Sequence, residues 1–138
     1  MISGEQTDGA YSMMEWTVAS RALTHGTGTD EGGPIDFGPH RHTAIDEVFV
    51  VQRGTIEFLL GDATTTLTAG DTVRVPAGER HGYVNMSGAD VELLVWFSPG
   101  GFEQLFLEYR TDHATSTGPG FVADAERHFG TTFEVAAS

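Results

Sequence analysis

The side chains best suited to chemistry are three histidines and one glutamate, carried by two short segments of the chain. His40 and His42 are separated by one residue, and Glu47 follows closely. In an extended strand, residues i and i+2 point to the same face, so the two imidazoles should project side by side. His81 comes just after a turn with proline and glycine at 76–78, which should deliver a third imidazole from another strand. Three imidazoles and one carboxylate suit a divalent transition metal: Fe, Mn, Ni, Co, Cu or Zn.

Glu47 opens a predicted strand in which its side chain shares one face with Phe49 and Val51. A charged group on an apolar face is costly to bury unless it is paired or bound to a metal. We therefore predict that Glu47 is the fourth ligand. Because a carboxylate has two oxygens, Glu47 is also the candidate catalytic proton-handling group. Arg41 and Asp46 fall on the opposite faces of their strands and are expected to point away from the site.

The rest of the chain indicates an all-β domain. Its 138 residues include 18 glycines, well above the usual share of about 7%, which predicts many turns between short elements. Gly61 and Asp62 form the predicted turn of a hairpin. Short apolar runs at this spacing favour a sandwich or barrel, with predicted strands at 10–19, 45–52, 55–60, 64–68, 71–75 and 91–97.

The hydrophobic period changes after residue 101. An i, i+3, i+4, i+7 pattern predicts one helical face, formed by Phe102, Leu105, Phe106 and Tyr109. We expect this face to pack against the outside of the β-domain, and the lesser alternative is an aromatic box around a ligand. A second, weaker helical pattern covers 121–129 and should end at Gly130. We therefore expect one or two short C-terminal helices.

Composition excludes several classes of protein. Seven arginines against 20 acidic residues, with no lysine, give a net charge of −13, which opposes binding to nucleic acid and to anionic membranes. The absence of cysteine excludes disulfides and thiolate metal sites. No run of 18 uncharged apolar residues and no signal-like N-terminus is present, so a cytoplasmic protein is expected.

Two segments resemble the motifs of the cupin superfamily. HRHTAIDEVFVVQRG is similar to the first motif, through His40, His42, Glu47 and Gly54. GDTVRVPAGERHGYVN is similar to the second motif, and its matching residues are Gly70, Pro76, Gly78, His81 and Asn85. The two ends of the chain resemble those of single-domain cupins of the quercetin-dioxygenase-like group.

The resemblance implies a fold, a cofactor and an assembly. It implies a single cupin domain over 1–138, a jelly-roll or double-stranded β-helix barrel with its core at about 36–98. An N-terminal strand segment would occupy 8–24, and a helical segment would occupy 100–130. One divalent metal ion per chain would be held by His40, His42, Glu47 and His81. The resemblance also implies a homodimer that exchanges N-terminal strands, a contact suited to Met13, Met14, Trp16 and Val18. The alternative is that this strand only forms the outer sheet of its own barrel.

The same residues leave three functions open. A divalent ion with three neutral imidazoles and one carboxylate carries a net charge of +1, which would attract an enolate, phenolate or carboxylate oxygen. An apolar, partly aromatic pocket suits an aromatic, enolisable, polyphenol- or polyketide-like molecule better than a sugar. Its candidate lining residues are Phe49 and Val51, which share the face of Glu47, and Phe58, Tyr83 and Trp96, whose facing the sequence leaves open. The candidate functions are a dioxygenase, a non-redox isomerase, cyclase or lyase, and a binding protein without catalysis. The other histidines, His25, His113 and His128, are expected to be structural or to face solvent.

Overall fold

Two antiparallel sheets contain the strands of the computed structural model, which describes residues 1–18, 20, 39–104 and 126–133. A 3-10 turn at Glu5–Thr7 precedes them. Nine strands lie within these described residues, namely β1 Ser12–Val18, β2 His40–His42, β3 Asp46–Arg53, β4 Thr55–Leu60, β5 Ala63–Thr68, β6 Thr72–Val75, β7 His81–Val84, β8 Val91–Ser98 and β9 Thr131–Phe133.

The strand order is that of a barrel built from two facing sheets. One sheet has the order β1-β8-β3-β6, and the other has the order β5-β4-β7-β2-β9. Most neighbours are not consecutive in the chain, so the chain crosses repeatedly between sheets, as in a jelly roll. The central strands β3 and β8 alternate between inward and outward side chains, and Phe49, Val51, Val95 and Phe97 are buried between the sheets. The all-β barrel prediction is confirmed.

The six strands predicted from apolar runs are all present, with ends within two residues of the predicted ones. Gly54, in the first motif, joins β3 to β4 with a φ of 93°. A Cβ atom at this position would lie 2.9 Å from Cγ2 of Val91, so both the conformation and the space require glycine. Strand β9 was not predicted, because three residues are too few to show a period.

The described parts of the C-terminal segment agree with the helical prediction. Residues 103–104 and 126–129 are helical, and the remainder of both predicted helices lies outside the described residues. Gly130, with a φ of 61°, ends the second helix as predicted. Among the described residues, no helix is long and apolar enough to cross a membrane.

Phe102 corrects the prediction that the first helical face packs outside the barrel. Its side chain is only 4% exposed, and its ring lies 5.4 Å from that of Phe97 and 4.8 Å from that of His42. The aromatic ring therefore closes part of the barrel interior. Periodicity identifies which residues share a face, but it does not indicate which surface that face covers. Leu105, Phe106 and Tyr109 lie outside the described residues.

A buried carboxylate fastens the N-terminal turn to the end of β8. Glu103 is fully buried, and its two oxygens accept hydrogen bonds from the backbone N–H groups of Gly4, at 2.6 Å, and Gly101, at 2.8 Å. Burial raises the pKa of Glu103, but these hydrogen bonds and the nearby hydroxyl of Ser12 outweigh burial and lower the pKa below its usual value. The carboxylate therefore stays charged and holds the first residues of the chain against the barrel.

Strand β1 is an edge strand of its sheet and pairs along its length with β8. Met14 and Val18 are buried inside the barrel, Trp16 lies on the same face, and Met13 faces the other way. Most of the apolar side chains of this strand thus pack in their own domain. The exchange of N-terminal strands between two copies stays a prediction.

Candidate metal centre

The first two histidines lie on one face of β2, as their spacing predicts. His40 and His42 are 5% and 2% exposed, whereas Arg41 between them is exposed. The Arg41 guanidinium donates a long hydrogen bond of 3.4 Å to the backbone oxygen of Gly78, outside the barrel. The alternation of the strand therefore sends both imidazoles inward and the charged side chain outward.

Glu47 approaches these histidines from the opposite sheet. It lies in β3, is 2% exposed and shares its inward face with Phe49. Its Oε1 atom lies 2.9 Å from Nε2 of His42, and its Oε2 atom lies 3.0 Å from Nε2 of His81. The carboxylate thus contacts two imidazoles in the interior, and both sheets contribute to the site.

The turn before β7 is fastened to the strands that carry the other candidate ligands. Gly78 adopts a φ of 85° and donates its backbone N–H to the backbone oxygen of His42 at 2.7 Å. The backbone N–H of Ala77 is bound by Oδ1 of Asp46 at 2.7 Å. Asp46 points away from its neighbour Glu47, as expected, and helps to hold this turn. His81 leaves the turn fully buried, beside His40 in the β2–β7 ladder.

The three imidazoles converge on one point. Their ring centroids are 4.1 Å apart for His40 and His81, 4.9 Å for His40 and His42, and 5.3 Å for His42 and His81. One nitrogen of each ring lies within 4.8 Å of the other two. Nitrogens bound to one transition metal at about 2.0–2.1 Å lie roughly 3 Å apart, so the three ring nitrogens lie near the separation that a shared ion would require.

Three buried polar atoms at this point lack a properly directed hydrogen bond. They are Nε2 of His42, Nε2 of His81 and Oε2 of Glu47. The contacts of 2.9 and 3.0 Å are short, but the ring nitrogens do not aim at the carboxylate. Buried polar atoms are rarely left in this state, because the loss of solvation is not compensated. A cation held between the lone pairs would satisfy all three atoms, so the residues fit a divalent metal.

In two of the three histidines, the ring nitrogen that points away from the cluster contacts another part of the protein. The Nδ1 atom of His42 lies 2.8 Å from Oγ1 of Thr131, and Nδ1 of His81 lies 3.0 Å from the backbone oxygen of Glu79. These contacts leave the Nε2 atoms to face the centre. Such outer contacts commonly fix the ring orientation and the tautomer of metal-binding histidines. Thr131 stands far from both motifs, and no pattern in the sequence points to it.

The imidazoles also hold the Glu47 carboxylate in its ionised form. Burial raises the pKa of Glu47, but the contacts and positive charge of His42 and His81 outweigh burial and lower the pKa from 4.5 to about 2. Because the folded pKa lies below the unfolded one, Glu47 stabilises the fold above about pH 4.5. That contribution is lost as the pH falls from about 4.5 towards 2.

An apolar cavity opens next to the cluster. The cavity has a volume of about 20 Å³, and its described walls are His40, His42, Glu47, Met14, Trp16, Phe49, Tyr83, Val95, Phe97 and Phe102. A volume of roughly 10–15 Å³ already accommodates a water molecule. The space beside the cluster is therefore narrow, and almost all of its surface beyond the ligands is hydrocarbon.

The predicted pocket residues divide into two groups. Phe49 and Tyr83 line the cavity as predicted, whereas Val51 and Phe58 are buried away from it. Phe58 packs behind the wall, with its ring 5.1 Å from that of Phe49 and 6.1 Å from that of Tyr83. Trp96, whose facing the sequence left open, is not among the described residues that line the cavity. It lies on the outer face of β8, and its ring is 6.4 Å from that of Tyr11.

Five residues that line the cavity were not predicted from the sequence. Strand β8 is apolar at nearly every position, so its sequence does not reveal which residues face inward. The ladder with β3 resolves this, because Phe97 lies opposite Glu47. Val95 then shares the inward face with Phe97. The other missed walls are Met14, Trp16 and Phe102.

The remaining histidines do not contribute to this cluster where they are described. His128 is exposed in the helical segment 126–129, as predicted. His25 and His113 lie outside the described residues.

Protons should compete with a metal for the three imidazoles. An imidazole binds metal only when neutral, and a free imidazole has a pKa of about 6.5. Glu47, with a pKa of about 2, stays ionised over the same range and adds nothing to the pH dependence. We expect zinc affinity, measured by competition with a chelator, to fall steeply between about pH 6.5 and 5. An unchanged affinity over this range would show that fewer than two of the histidines bind metal.

The sequence matches a known family over its central part. The cupin-domain family model matches residues 27–97, just over half of the 138 residues. An uncharacterized protein of Streptomyces coelicolor is 36% identical over 93 residues, which cover 67% of this chain and 82% of that protein.

Solved structures with a similar fold are more distant in sequence. KdgF from Halomonas sp. gives a TM-score of 0.54 at 22% identity, covering 70% of this chain and 74% of that one. The DMSP lyase DddQ from Ruegeria pomeroyi gives a TM-score of 0.50 at 19% identity, covering 65% of this chain and 39% of that one. These two likenesses concern the fold alone. Together with the family match over the central residues, the barrel identifies this chain as a member of the cupin family.

Proposed function

We propose that this protein is a metal-dependent enzyme acting on a small, largely apolar molecule that carries one anionic oxygen. The observation that carries this proposal is the group of three buried polar atoms without directed hydrogen bonds, on His42, His81 and Glu47, beside an apolar cavity. A bound divalent metal supplies a positive centre that stabilises an enolate or phenolate oxygen and, if it is redox-active, electron transfer. The ligand set supports Fe, Mn, Ni, Co, Cu or Zn.

The charges and walls of the cavity favour this kind of substrate. Three neutral imidazoles and one carboxylate leave a divalent ion with a net charge of +1, at the end of a hydrocarbon-lined space. Phe49, Tyr83 and Phe97 supply aromatic surface, and no further charged side chain is among the described walls. A substrate would therefore be held by one oxyanion at the cluster and by apolar contacts elsewhere.

The size of the cavity narrows the substrate class. A volume of about 20 Å³ is far below the roughly 300–1,000 Å³ of ordinary small-molecule pockets. The walls must therefore move to admit any substrate, and a short enolisable molecule or a single phenolic ring requires less movement than a polyphenol.

Glu47 is the residue that we propose to move a proton. Both of its oxygens lie at the cluster, and the carboxylate is also part of the cavity wall. One oxygen would bind the metal while the other accepts a proton from the substrate carbon or hydroxyl. A low pKa makes the carboxylate a weak base, but it keeps the oxygens free of protons at neutral pH.

Of the possible reactions, we favour oxidation by dioxygen. The resemblance of the chain ends to the quercetin-dioxygenase-like group of cupins supports this choice. The alternative is a non-redox isomerase, cyclase or lyase, in which the same proton transfer from an enolisable carbon is the whole reaction. The similarity of the fold to the DMSP lyase DddQ illustrates that a cupin barrel can carry a lyase.

Two measurements on the same samples separate these reactions. The protein is loaded with iron(II) without oxygen and mixed with small 1,3-diketones, monocyclic phenols and one flavonol. Oxygen uptake that depends on metal and substrate supports the oxygenase. Exchange of the substrate α-proton for deuterium without oxygen uptake supports the non-redox enzyme. Binding of these compounds with neither signal would contradict catalysis and support a binding protein.

A further inference from the structure

Thr131 contacts the candidate metal site from a part of the chain that neither motif includes. This residue is 2% exposed and opens β9, which pairs with β2. Thr131 stands directly opposite His42 in this ladder, and its Oγ1 atom lies 2.8 Å from Nδ1 of His42. The side chain therefore meets the ring on the side that faces away from the cluster.

The glycine before Thr131 explains how β9 reaches this position. Gly130 adopts a φ of 61°, and a Cβ atom there would collide with Oγ1 of Thr43. The backbone oxygen of Gly130 accepts a hydrogen bond of 3.1 Å from the N–H of Thr43. Only glycine combines this conformation with such a close approach. The chain thus turns from the helical segment into β9 and places Thr131 against His42.

The surroundings of His42 determine where its proton lies. A neutral imidazole carries one N–H, and a hydroxyl can accept a hydrogen bond from it. A metal bound at Nε2 requires a lone pair on that atom and therefore a proton on Nδ1, whereas a proton on Nε2 would face Oε1 of Glu47 at 2.9 Å without a well-directed hydrogen bond. A proton on Nδ1 is satisfied by Thr131. The contacts therefore favour the tautomer with Nδ1–H and a lone pair on Nε2.

His81 offers a comparison within the same site. Its Nδ1 atom lies 3.0 Å from the backbone oxygen of Glu79, which can only accept a hydrogen bond. The backbone therefore fixes the tautomer of His81, and no side-chain substitution removes that contact. The tautomer of His42 depends instead on a hydroxyl that a substitution can remove.

We propose that Thr131 is a positioning residue that holds His42 as the Nδ1–H tautomer and aims its Nε2 lone pair at the centre of the cluster. The effect of Thr131 on metal affinity rests on the proposed function, because it requires a metal centre. The effect of Thr131 on the tautomer of His42 does not require one. The C-terminal strand β9 would then set how tightly the barrel holds its metal. By the reciprocity of linked equilibria, metal binding would also stabilise the docking of β9.

The test measures tautomer and affinity separately. Thr131→Val removes the hydroxyl at nearly constant volume, Thr131→Ala removes it without adding a methyl group, and Thr131→Ser retains it. Thr132→Val is the matched control, because Thr132 is the exposed neighbour on the same strand. Long-range ¹H–¹⁵N NMR spectra of the metal-free protein at about pH 8 report the tautomers of His42 and His81, and chelator competition gives the zinc affinity.

We expect His42 to be the Nδ1–H tautomer in the unmodified protein, in Thr131→Ser and in Thr132→Val. In Thr131→Val and Thr131→Ala, we expect a shift towards Nε2–H at His42 with no change at His81. Zinc affinity should fall by about 10–100-fold in the same two variants, the usual effect of losing an outer contact of a ligand. In the serine variant and the control, it should change by less than about 3-fold.

Two results would overturn the positioning role. One is an unchanged His42 tautomer in both variants that lack the hydroxyl. The other is a loss of affinity with the tautomer unchanged, which would indicate a structural effect only. If the unmodified protein binds no zinc, the metal centre is refuted, and the tautomer of His42 alone then decides the role of Thr131.

Discussion

Replacement of His81 by alanine is expected to lower the affinity for a divalent metal by more than about 100-fold, the upper range for loss of an outer contact. His81 is fully buried, and its Nε2 atom lies 3.0 Å from Oε2 of Glu47 at the centre of the cluster. The backbone oxygen of Glu79 and the pairing of β7 with β2 hold the ring at this point, and alanine supplies no ligand atom there. Elemental analysis should find close to one metal ion per chain in the unmodified protein and far less in the variant.

The melting temperature provides an independent measurement of the same site. Metal at about 100 times its Kd should stabilise the unmodified protein by about 2.7 kcal/mol, because it binds only the folded state. For a chain of this length, that corresponds to a rise in Tm of roughly 10 °C. His81→Ala should lose this rise, whereas the control His128→Ala, which changes an exposed histidine, should keep it. A metal-free unmodified protein whose Tm does not respond to metal would refute the metal centre.

The alternation of side chains along a strand was sufficient to predict which way several site residues face. The alternation of a strand predicted that His40 and His42 share a face and that Arg41 does not, which the burial pattern confirms. The same rule put Glu47 and Phe49 on one inward face of β3. Contact of His81 with this group depends on a long-range pairing of β2 with β7, which the motif resemblance implied and local rules alone did not.

The residues that were missed depend on contacts between distant parts of the chain. Thr131 reaches His42 across a pairing of β2 with β9, and β9 is too short to be recognised by period. The facing of Trp96 stayed open because an apolar strand gives no signal of which side faces inward. Phe102 was assigned to the outer surface because a helical period does not specify the surface that it covers. In each case, a pattern fixes the relative directions of side chains, and only the tertiary pairing fixes their environment.

The second large effect is expected for Glu47→Gln. This substitution distinguishes whether Glu47 only binds the metal or also accepts a proton. Glutamine keeps the size and one oxygen donor, but it loses the charge and the basicity of the carboxylate. A divalent ion at the site would then carry a net charge of +2 instead of +1, and metal binding should weaken. Glu57→Gln is the matched control, because Glu57 is an exposed glutamate on β4.

If Glu47 only binds metal, an excess of metal should restore turnover of the Glu47→Gln variant. If Glu47 also accepts a proton, turnover of the variant at saturating metal should stay about 10²–10⁴-fold below that of the unmodified protein. This is the usual contribution of a positioned general base. We expect a loss near the lower end, about 10²-fold, because a carboxylate with a pKa of about 2 is a weak base at neutral pH. The measurement is kcat at a series of metal concentrations, with occupancy checked by elemental analysis, using the compound that the oxygen-uptake or deuterium-exchange assay identifies. Full recovery of kcat at full occupancy would remove the proton-transfer role and leave Glu47 as a ligand alone.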